Sequence, residues 1–362
     1  MSMSSPLMLI AADVGNVNTK YRRQGGAWEI EPSLVRLFST RTGYEFTSDT
    51  PVQPFVYVSG PAGIEANVPY LIGRDAQRAG VSDVALIGSA ELRVHSAAYL
   101  LLHLYAIIAS LPAGNTQAHI AFAGGLPVED DGNPEVKETL RQRLTGRTEK
   151  GSPSVPHVVR WGQVEYTITI VKTSFIPQPI GAIATLLFSP DGKIQMNGAL
   201  LRQRYALDIG GGTTDFTGRK GLDLIPGTEG GVRLGVQNAA ETARTLIQRR
   251  FPSLRHLDAA EVLTMLRQGE TTVYVAGEPC DVSAELQTAT NDTANAILAK
   301  VLPHWERTLA QGEVLLFGGG GQVMASAISA MLAPLTPVTL LPDPVTRVAD
   351  GIERLAKYRL QA

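Results

Sequence analysis

Short apolar runs alternate with longer amphipathic stretches along the chain, and this alternation predicts an α/β protein. Residues 7–12 read as a buried strand, followed by a broken β-rich stretch to about Tyr57, a helix over 91–110 and a strand over 118–123. Thr alternates with Ile and Val over 166–172, which predicts a strand, whereas 180–187 is small and aliphatic, as in a buried helix. Residues 145–157 are polar, contain Pro and Gly, and read as a loop. After Tyr205 the pattern restarts with a strand, a Gly-rich hairpin, and helices at about 238–250, 258–267 and 283–302. The second half therefore repeats the order of the first.

Composition narrows this picture. With 362 residues the chain exceeds the size at which one core stops growing, so two domains of about 150 to 200 residues are expected. Lys and Arg total 32 against 34 Asp and Glu, a net charge of -2, which carries no electrostatic footprint for direct nucleic-acid binding. Cys280 is the sole cysteine, which excludes an internal disulfide and points to a reducing, cytoplasmic setting. The greasiest stretch, 96–111, contains His103 and is shorter than the roughly 18 residues of a membrane span. The N-terminal residues carry no Lys or Arg before the first apolar run, as a secretory signal would, and form no amphipathic helix. No membrane association is expected. His95, His103, His119, His157, His256 and His304 lack metal-ligand spacing and read as structural or solvent-facing.

The chemistry lies in two related segments, Asp13-Val14-Gly15-Asn16-Val17-Asn18-Thr19-Lys20 and Asp208-Ile209-Gly210-Gly211-Gly212-Thr213-Thr214-Asp215. Each follows an apolar strand and predicts a tight hairpin whose glycines leave backbone N–H groups available to phosphate oxygens. A leading aspartate would meet a phosphate only through a cation, so Asp13 implies Mg²⁺ or water bound to it. Either copy alone equally describes an ordinary hairpin with a surface Lys; the repetition strongly favours phosphate binding and suggests two related halves. A third element follows. Strand 314–317 leads into Gly318-Gly319-Gly320-Gly321 and a helix over 322–332, a turn at which a ligand can approach a helix start. Neither GxGxxG nor GxxxxGK[ST] occurs at these loops.

In this order of motifs the chain resembles the actin, heat-shock-70 and sugar-kinase ATPase superfamily. Residues 13–20 resemble its first phosphate motif, 205–217 the second, 314–328 the adenosine motif and 342–357 the second connecting helix. Phe175-Ile176-Pro177-Gln178-Pro179-Ile180-Gly181-Ala182 resembles the first connecting segment, with Gln178 at the water-positioning place. The resemblance implies an actin-like ATPase fold of two duplicated ribonuclease-H-like domains around a nucleotide cleft. Domain I would span 1–182, with an insertion at about 30–88 and the helix at 343–362 returning to it; domain II would span 183–342, with an insertion at about 251–290. It also implies ATP and Mg²⁺ as ligands. Asp208 would activate the attacking water, Gln178 hold it in line, Lys20 offset phosphate charge, and Asp13 and Asp208 face the metal. The backbones and side chains of Gly15, Asn16, Asn18, Thr19, Gly210, Gly211, Gly212, Thr213, Thr214, Gly318, Gly319, Gly320 and Gln322 would line the nucleotide. Gly231 and Glu241 would approach the ribose and adenine, although a turn before a helix explains that stretch as well. Because Gln178 is no base at neutral pH, slow hydrolysis suited to an assembly clock is expected.

Three branches compete: a filament-forming actin relative, a heat-shock-type chaperone and a small-molecule kinase. Only five residues follow Lys357, so no peptide-binding domain is expected, and no acceptor-site signature for a kinase is found. Residues 68–76, Val-Pro-Tyr-Leu-Ile-Gly-Arg-Asp-Ala, resemble the Tyr-x-(Val/Ile)-Gly-x-x-Ala segment of plasmid-segregation, ParM-like and archaeal actins, although a turn leading into a helix reads equally. The expected partners are copies of the chain in head-to-tail filaments and a DNA-binding adaptor. The alternative is a non-polymerising regulatory ATPase or kinase of the same superfamily.

Overall fold

The computed structural model describes residues 7–23, 26–38, 52–79, 90–149, 151–195, 198 and 201–361, so the expected insertion at about 30–88 lies partly outside the described residues. The chain forms two compact units, one of Met1–Pro177, Pro190–Lys193 and Ile352–Ala362, the other of Gln178–Ser189 and Ile194–Gly351.

The first unit contains β1 (Met8–Val14), β2 (Asn18–Tyr21), β3 (Glu29–Pro32), β4 (Val35–Leu37), β5 (Phe55–Ser59), β6 (Pro69–Ile72), α1 (Arg74–Arg78), α2 (Ala90–His95), α3 (Ala97–Ala109), β7 (Gln117–Leu126), α4 (Val128–Asp131), α5 (Pro134–Thr145), β8 (His157–Trp161) and β9 (Val164–Pro177). Its strands join in one sheet ordered β3-β2-β1-β7-β9-β8-β5-β6-β4. β1, β7 and β9 pair in parallel, and such strands are covered on both faces, which is why β1 and β7 read as near-continuous apolar runs. α3 is buried from Tyr99 to Ala109 and packs on β1 and β2, which accounts for the greasiest stretch of the sequence.

Three expectations need correction. The helix over 91–110 is two helices, because Ser96 takes extended angles (φ −66°, ψ 129°). The strand over 166–172 runs on to Pro177. His157 does not end a loop but opens β8, which folds back on β9 with Trp161 opposite Val164. His157 is buried, its Nε2 lies 2.7 Å from the Leu144 carbonyl, and burial pushes its pKa down to about 4. His103 is similarly enclosed, pushed down to about 4, with Nδ1 2.8 Å from the Tyr99 carbonyl. Both imidazoles are therefore neutral core side chains at neutral pH.

The second unit contains α6 (Gln178–Leu187), β10 (Gln203–Ile209), β11 (Thr214–Lys220), β12 (Asp223–Leu224), β13 (Gly230–Val232), α7 (Val236–Arg250), α8 (Ala259–Gln268), β14 (Thr272–Val275), β15 (Glu278–Asp281), α9 (Ser283–Trp305), β16 (Glu313–Phe317), α10 (Gly319–Leu332) and β17 (Val338–Leu340). α11 (Arg347–Gln361) begins in this unit and ends in the first. The sheet is ordered β12-β11-β10-β16-β17, with β13 on β11, and β14 and β15 form a separate hairpin. Trp305 anchors the core. It is fully buried, its Nε1 donates to the Thr228 carbonyl at 3.0 Å, and its ring meets Tyr205 and Phe216.

The sequence repeat is also a topological repeat. In the first unit β2 pairs antiparallel with β1, and β1, β7 and β9 follow in parallel; in the second, β11 pairs antiparallel with β10, and β10, β16 and β17 follow in parallel. The two hairpins that carry the candidate residues occupy equivalent places.

Candidate phosphate-binding hairpins

β1 and β2 form the first hairpin, closed by the Gly15 N–H donating to the Asn18 carbonyl at 3.1 Å. Asp13 sits opposite Lys20 in the register, only 2% exposed, and Lys20 Nζ donates to its Oδ2 at 2.8 Å. A carboxylate this enclosed needs a cationic partner, and Lys20 supplies it. Tyr99 and His103 of α3 lie close enough to Asp13 for its charge to act on both. Gly15, Asn16 and Asn18 are half-buried in the turn.

Thr19 is placed differently from the expectation. It is fully buried, and its hydroxyl lies 2.9 Å from that of Ser33, so its hydrogen bond runs into the unit and not out of the turn. Ser33, a residue without any local signal in the sequence, is equally buried and donates to the Gly15 carbonyl at 2.6 Å.

The second hairpin, β10 and β11, is closed by the Gly210 N–H donating to the Thr213 carbonyl at 2.8 Å. Asp208 is half-buried at the end of β10, opposite Asp215 in the register, the position that Lys20 fills in the first hairpin. Thr214 repeats the behaviour of Thr19. It is fully buried, with its hydroxyl donating to the Leu234 carbonyl at 2.8 Å. Gly211, Gly212 and Thr213 are half-buried in the turn.

Behind this turn runs the start of α7. The Val236 and Gln237 N–H groups donate to the carbonyls of Gly210 and Gly211 at 3.1 and 2.8 Å. The approach is so close that a Cβ on Gly235 would stand 2.4 Å from the Gly211 oxygen, and the Asn238 side chain accepts from the Gly235 N–H at 2.9 Å. Sequence reasoning places Gly235 at the end of the 227–235 stretch expected near the ribose and adenine, not in this close packing against the turn, and it passes over Asn238. A glycine just before an amphipathic helix was the only available signal.

The glycine run also differs from a four-residue turn. Gly318 alone turns, at φ 85°, and Gly319–Gly321 already belong to α10. A Cβ on Gly318 would lie 2.4 Å from Asp208 Oδ1 and 2.4 Å from the Ile209 carbonyl, and one on Gly320 would lie 2.8 Å from the Gly210 carbonyl. These glycines let the start of α10 sit directly against the second hairpin. Nothing lies within 4 Å of the Cβ position of Gly319, so that side of the helix start is open. Gln322 is exposed. Gly231 lies in β13 opposite Asp215, and Glu241 is exposed on α7 in an ion pair with Arg244 at 3.0 Å. Gln178 is half-buried and opens α6 directly after Pro177.

Among the described residues no helix is long and apolar enough to cross a membrane. No curated protein matches the chain by sequence comparison. Solved structures do match, over nearly the whole length. The archaeal actin homologue Ta0583 aligns at 17% identity with a TM-score of 0.74, covering 98% of this chain and 100% of that one, and a further structure of that homologue is a complex with ADP. A 15-stranded ParM filament from Clostridium botulinum aligns at 18% identity and a TM-score of 0.72, covering 98% and 99%. The actin-like protein Alp7A aligns at 16% identity and 0.72, covering 98% and 97%. At these identities the likeness establishes the actin fold. Family models divide the chain between them: residues 11–181 match the N-terminal domain of actin-like proteins, and residues 206–330 match the C-terminal domain of the archaeal actin homologue MreB-like. Together they span most of the sequence, including both hairpins and the start of α10, and the chain belongs to the actin-like proteins.

Proposed function

We propose that this protein is an ATPase that binds Mg–ATP through its two phosphate hairpins, hydrolyses it slowly and assembles into nucleotide-dependent filaments. The observation that carries the proposal is the shared construction of the hairpins: in each, an aspartate is the last residue but one of a strand, a glycine turn follows, and the turn's carbonyls are bonded from behind. Such a turn presents N–H groups to an anion. Lys20 beside Asp13 supplies positive charge at the first, and the open side of Gly319 leaves room for a ligand at the second. These features fit a polyphosphate accompanied by a divalent cation. Bound Mg²⁺ would offset charge on the phosphoryl oxygens.

In this reading Asp208 accepts or orients a proton of the attacking water, Gln178 holds that water in line, and the hairpin amides and Lys20 stabilise phosphate charge. Asp13 and Asp208 would serve the metal, directly or through its bound water. The ADP complex of the archaeal homologue supports a nucleotide ligand, and the ParM filament supports self-association, with plasmid or DNA segregation through a DNA-binding adaptor in the cytoplasm as the matching role. A contact between unlike surfaces of successive copies propagates as a filament unless it closes into a ring.

Assembly is tested by light scattering and sedimentation. Scattering is expected to rise above a critical concentration when Mg–ATP is added, and to fall as the nucleotide is consumed. A protein that remains monomeric on the order of tens of micromolar with ATP and with a non-hydrolysable analogue would exclude polymerisation and favour the regulatory-ATPase or kinase alternative.

A further inference from the structure

We infer that Ser33 is a positioning residue for the first phosphate hairpin: its hydroxyl fixes the orientation of the Gly15–Asn16 peptide so that the Asn16 N–H faces a bound phosphate. The inference rests on the nucleotide reading above and adds to it a residue outside every motif.

A trans peptide is planar, so its C=O and N–H point in opposite directions. The Ser33 hydroxyl donates to the Gly15 carbonyl at 2.6 Å, which turns the Asn16 N–H away from Ser33 and hence away from the buried interior behind the turn. The Ser33 N–H also donates, to the Val17 carbonyl at 2.8 Å, so one residue holds two carbonyls of the same turn. Because the Ser33 hydrogen is engaged with Gly15, the 2.9 Å contact with Thr19 has the Thr19 hydroxyl as donor. The relay runs from Thr19 to Ser33 to the Gly15 carbonyl. Both side chains are 0% exposed, so water does not compete for these bonds.

The second hairpin shows the same device made from other parts. There the carbonyl of Gly210, the counterpart of Gly15, accepts the Val236 N–H at 3.1 Å, and that of Gly211 accepts the Gln237 N–H at 2.8 Å. The N–H groups of Gly211 and Gly212 are thereby turned away from α7. Two hairpins at equivalent places in two sheets thus have their turn carbonyls bonded from behind, one by the backbone of a helix start and the other by a serine side chain. Convergence on one peptide orientation by different chemical means is what a shared ligand requirement would produce. The serine version can be removed by a side-chain truncation, whereas the helix version would need a proline in the first turn of α7. Without the Ser33 hydroxyl, the Gly15–Asn16 peptide, which follows a residue without a Cβ, is free to turn its carbonyl toward the anion, where partial negative charge opposes binding.

The test compares Mg–ATP and adenosine binding to the full-length protein and to Ser33→Ala. Loss of an amide donor, with a carbonyl replacing it, should weaken Mg–ATP binding by about ten- to a hundredfold while adenosine binding changes less than about threefold. Thermal unfolding of the ligand-free variant confirms that it is folded. A folded Ser33→Ala protein with unchanged Mg–ATP affinity would overturn the inference, as would equal losses for both ligands, which indicate a general structural role. Should Ser33→Ala fail to fold, the unaltered protein decides the matter through ¹⁵N-asparagine labelling. On addition of Mg–ATP, the Asn16 amide resonance should shift and its exchange with water should slow. An Asn16 resonance unmoved by saturating Mg–ATP would refute the assignment while leaving nucleotide binding intact. Failure of the unaltered protein to bind Mg–ATP would remove the nucleotide reading and the role of Ser33 with it.

Discussion

Asp208→Ala is expected to leave Mg–ATP binding within a few-fold of the parent protein and to slow its hydrolysis by at least about two orders of magnitude, the scale contributed by a positioned proton-transfer group. The carboxylate stands at the end of β10, where β10 and β16 run parallel and where Gly318 permits the start of α10 to lie against it. Its partial exposure leaves it open to a water molecule, whereas Asp13, 2% exposed and bonded to Lys20, is enclosed. These surroundings separate two aspartates that look alike in the sequence motifs. In the proposed function, Asp208 acts on a water and Asp13 holds charge in place. Gln178→Ala should be milder, because an amide that positions water can be partly replaced by neighbouring groups. Single-turnover phosphate release measures both variants. A near-normal rate for Asp208→Ala would remove that residue from catalysis, and a larger defect in Gln178→Ala would reverse the proposed order of importance.

Gly351→Ala should be the most damaging single-methyl change in the second unit. α6 and α11 approach there so closely that a Cβ on Gly351 would stand 1.5 Å from the Gly181 carbonyl oxygen and 2.5 Å from its carbon. The obstructing atoms are helix backbone, which cannot rotate aside as a flexible side chain would. The helices must separate at a place where α6 is enclosed, with Ala182, Ile183, Ala184 and Leu187 all buried. Overpacking of this kind costs about 3 kcal/mol or more. For a unit of this size that corresponds to a lowering of the melting temperature of about 6–12 °C. Thermal unfolding followed by circular dichroism gives the answer, and an unchanged melting temperature would show that the two helices can part without loss.

Whatever depends on neighbours along the chain could be read from the sequence. An apolar run ending in Asp, an aliphatic residue and Gly defines a buried strand and a tight turn within eight residues, so both hairpins and their duplication were legible. Interactions over longer separations were not. Thr19 reads as a ligand-facing hydroxyl, yet strand alternation puts it on the buried face, where its partner is Ser33, fourteen residues away; Thr214 finds Leu234 at a separation of twenty. Gly235 and Gly351 are required by backbone from elsewhere in the fold, a demand that leaves no pattern in the residues around them. The glycine run was recognisable as a place of close approach, but periodicity could not show that only Gly318 turns and that the remaining three already lie in α10. Likewise, the uninterrupted apolar character of residues 97–109 concealed the break at Ser96, which is a backbone event with no hydrophobic signature.

The most direct test of the central claim is an equilibrium titration of the purified protein with ATP by calorimetry, with Mg²⁺ and with excess chelator. One nucleotide per chain is expected, with a dissociation constant in the micromolar range or below, about −8 kcal/mol or stronger, and with affinity reduced by chelation. Saturable binding of ATP at this stoichiometry, dependent on Mg²⁺, would agree with a pair of phosphate-binding hairpins. No heat of binding at millimolar ATP, with or without Mg²⁺, would contradict the account and leave an actin fold whose hairpins serve another purpose.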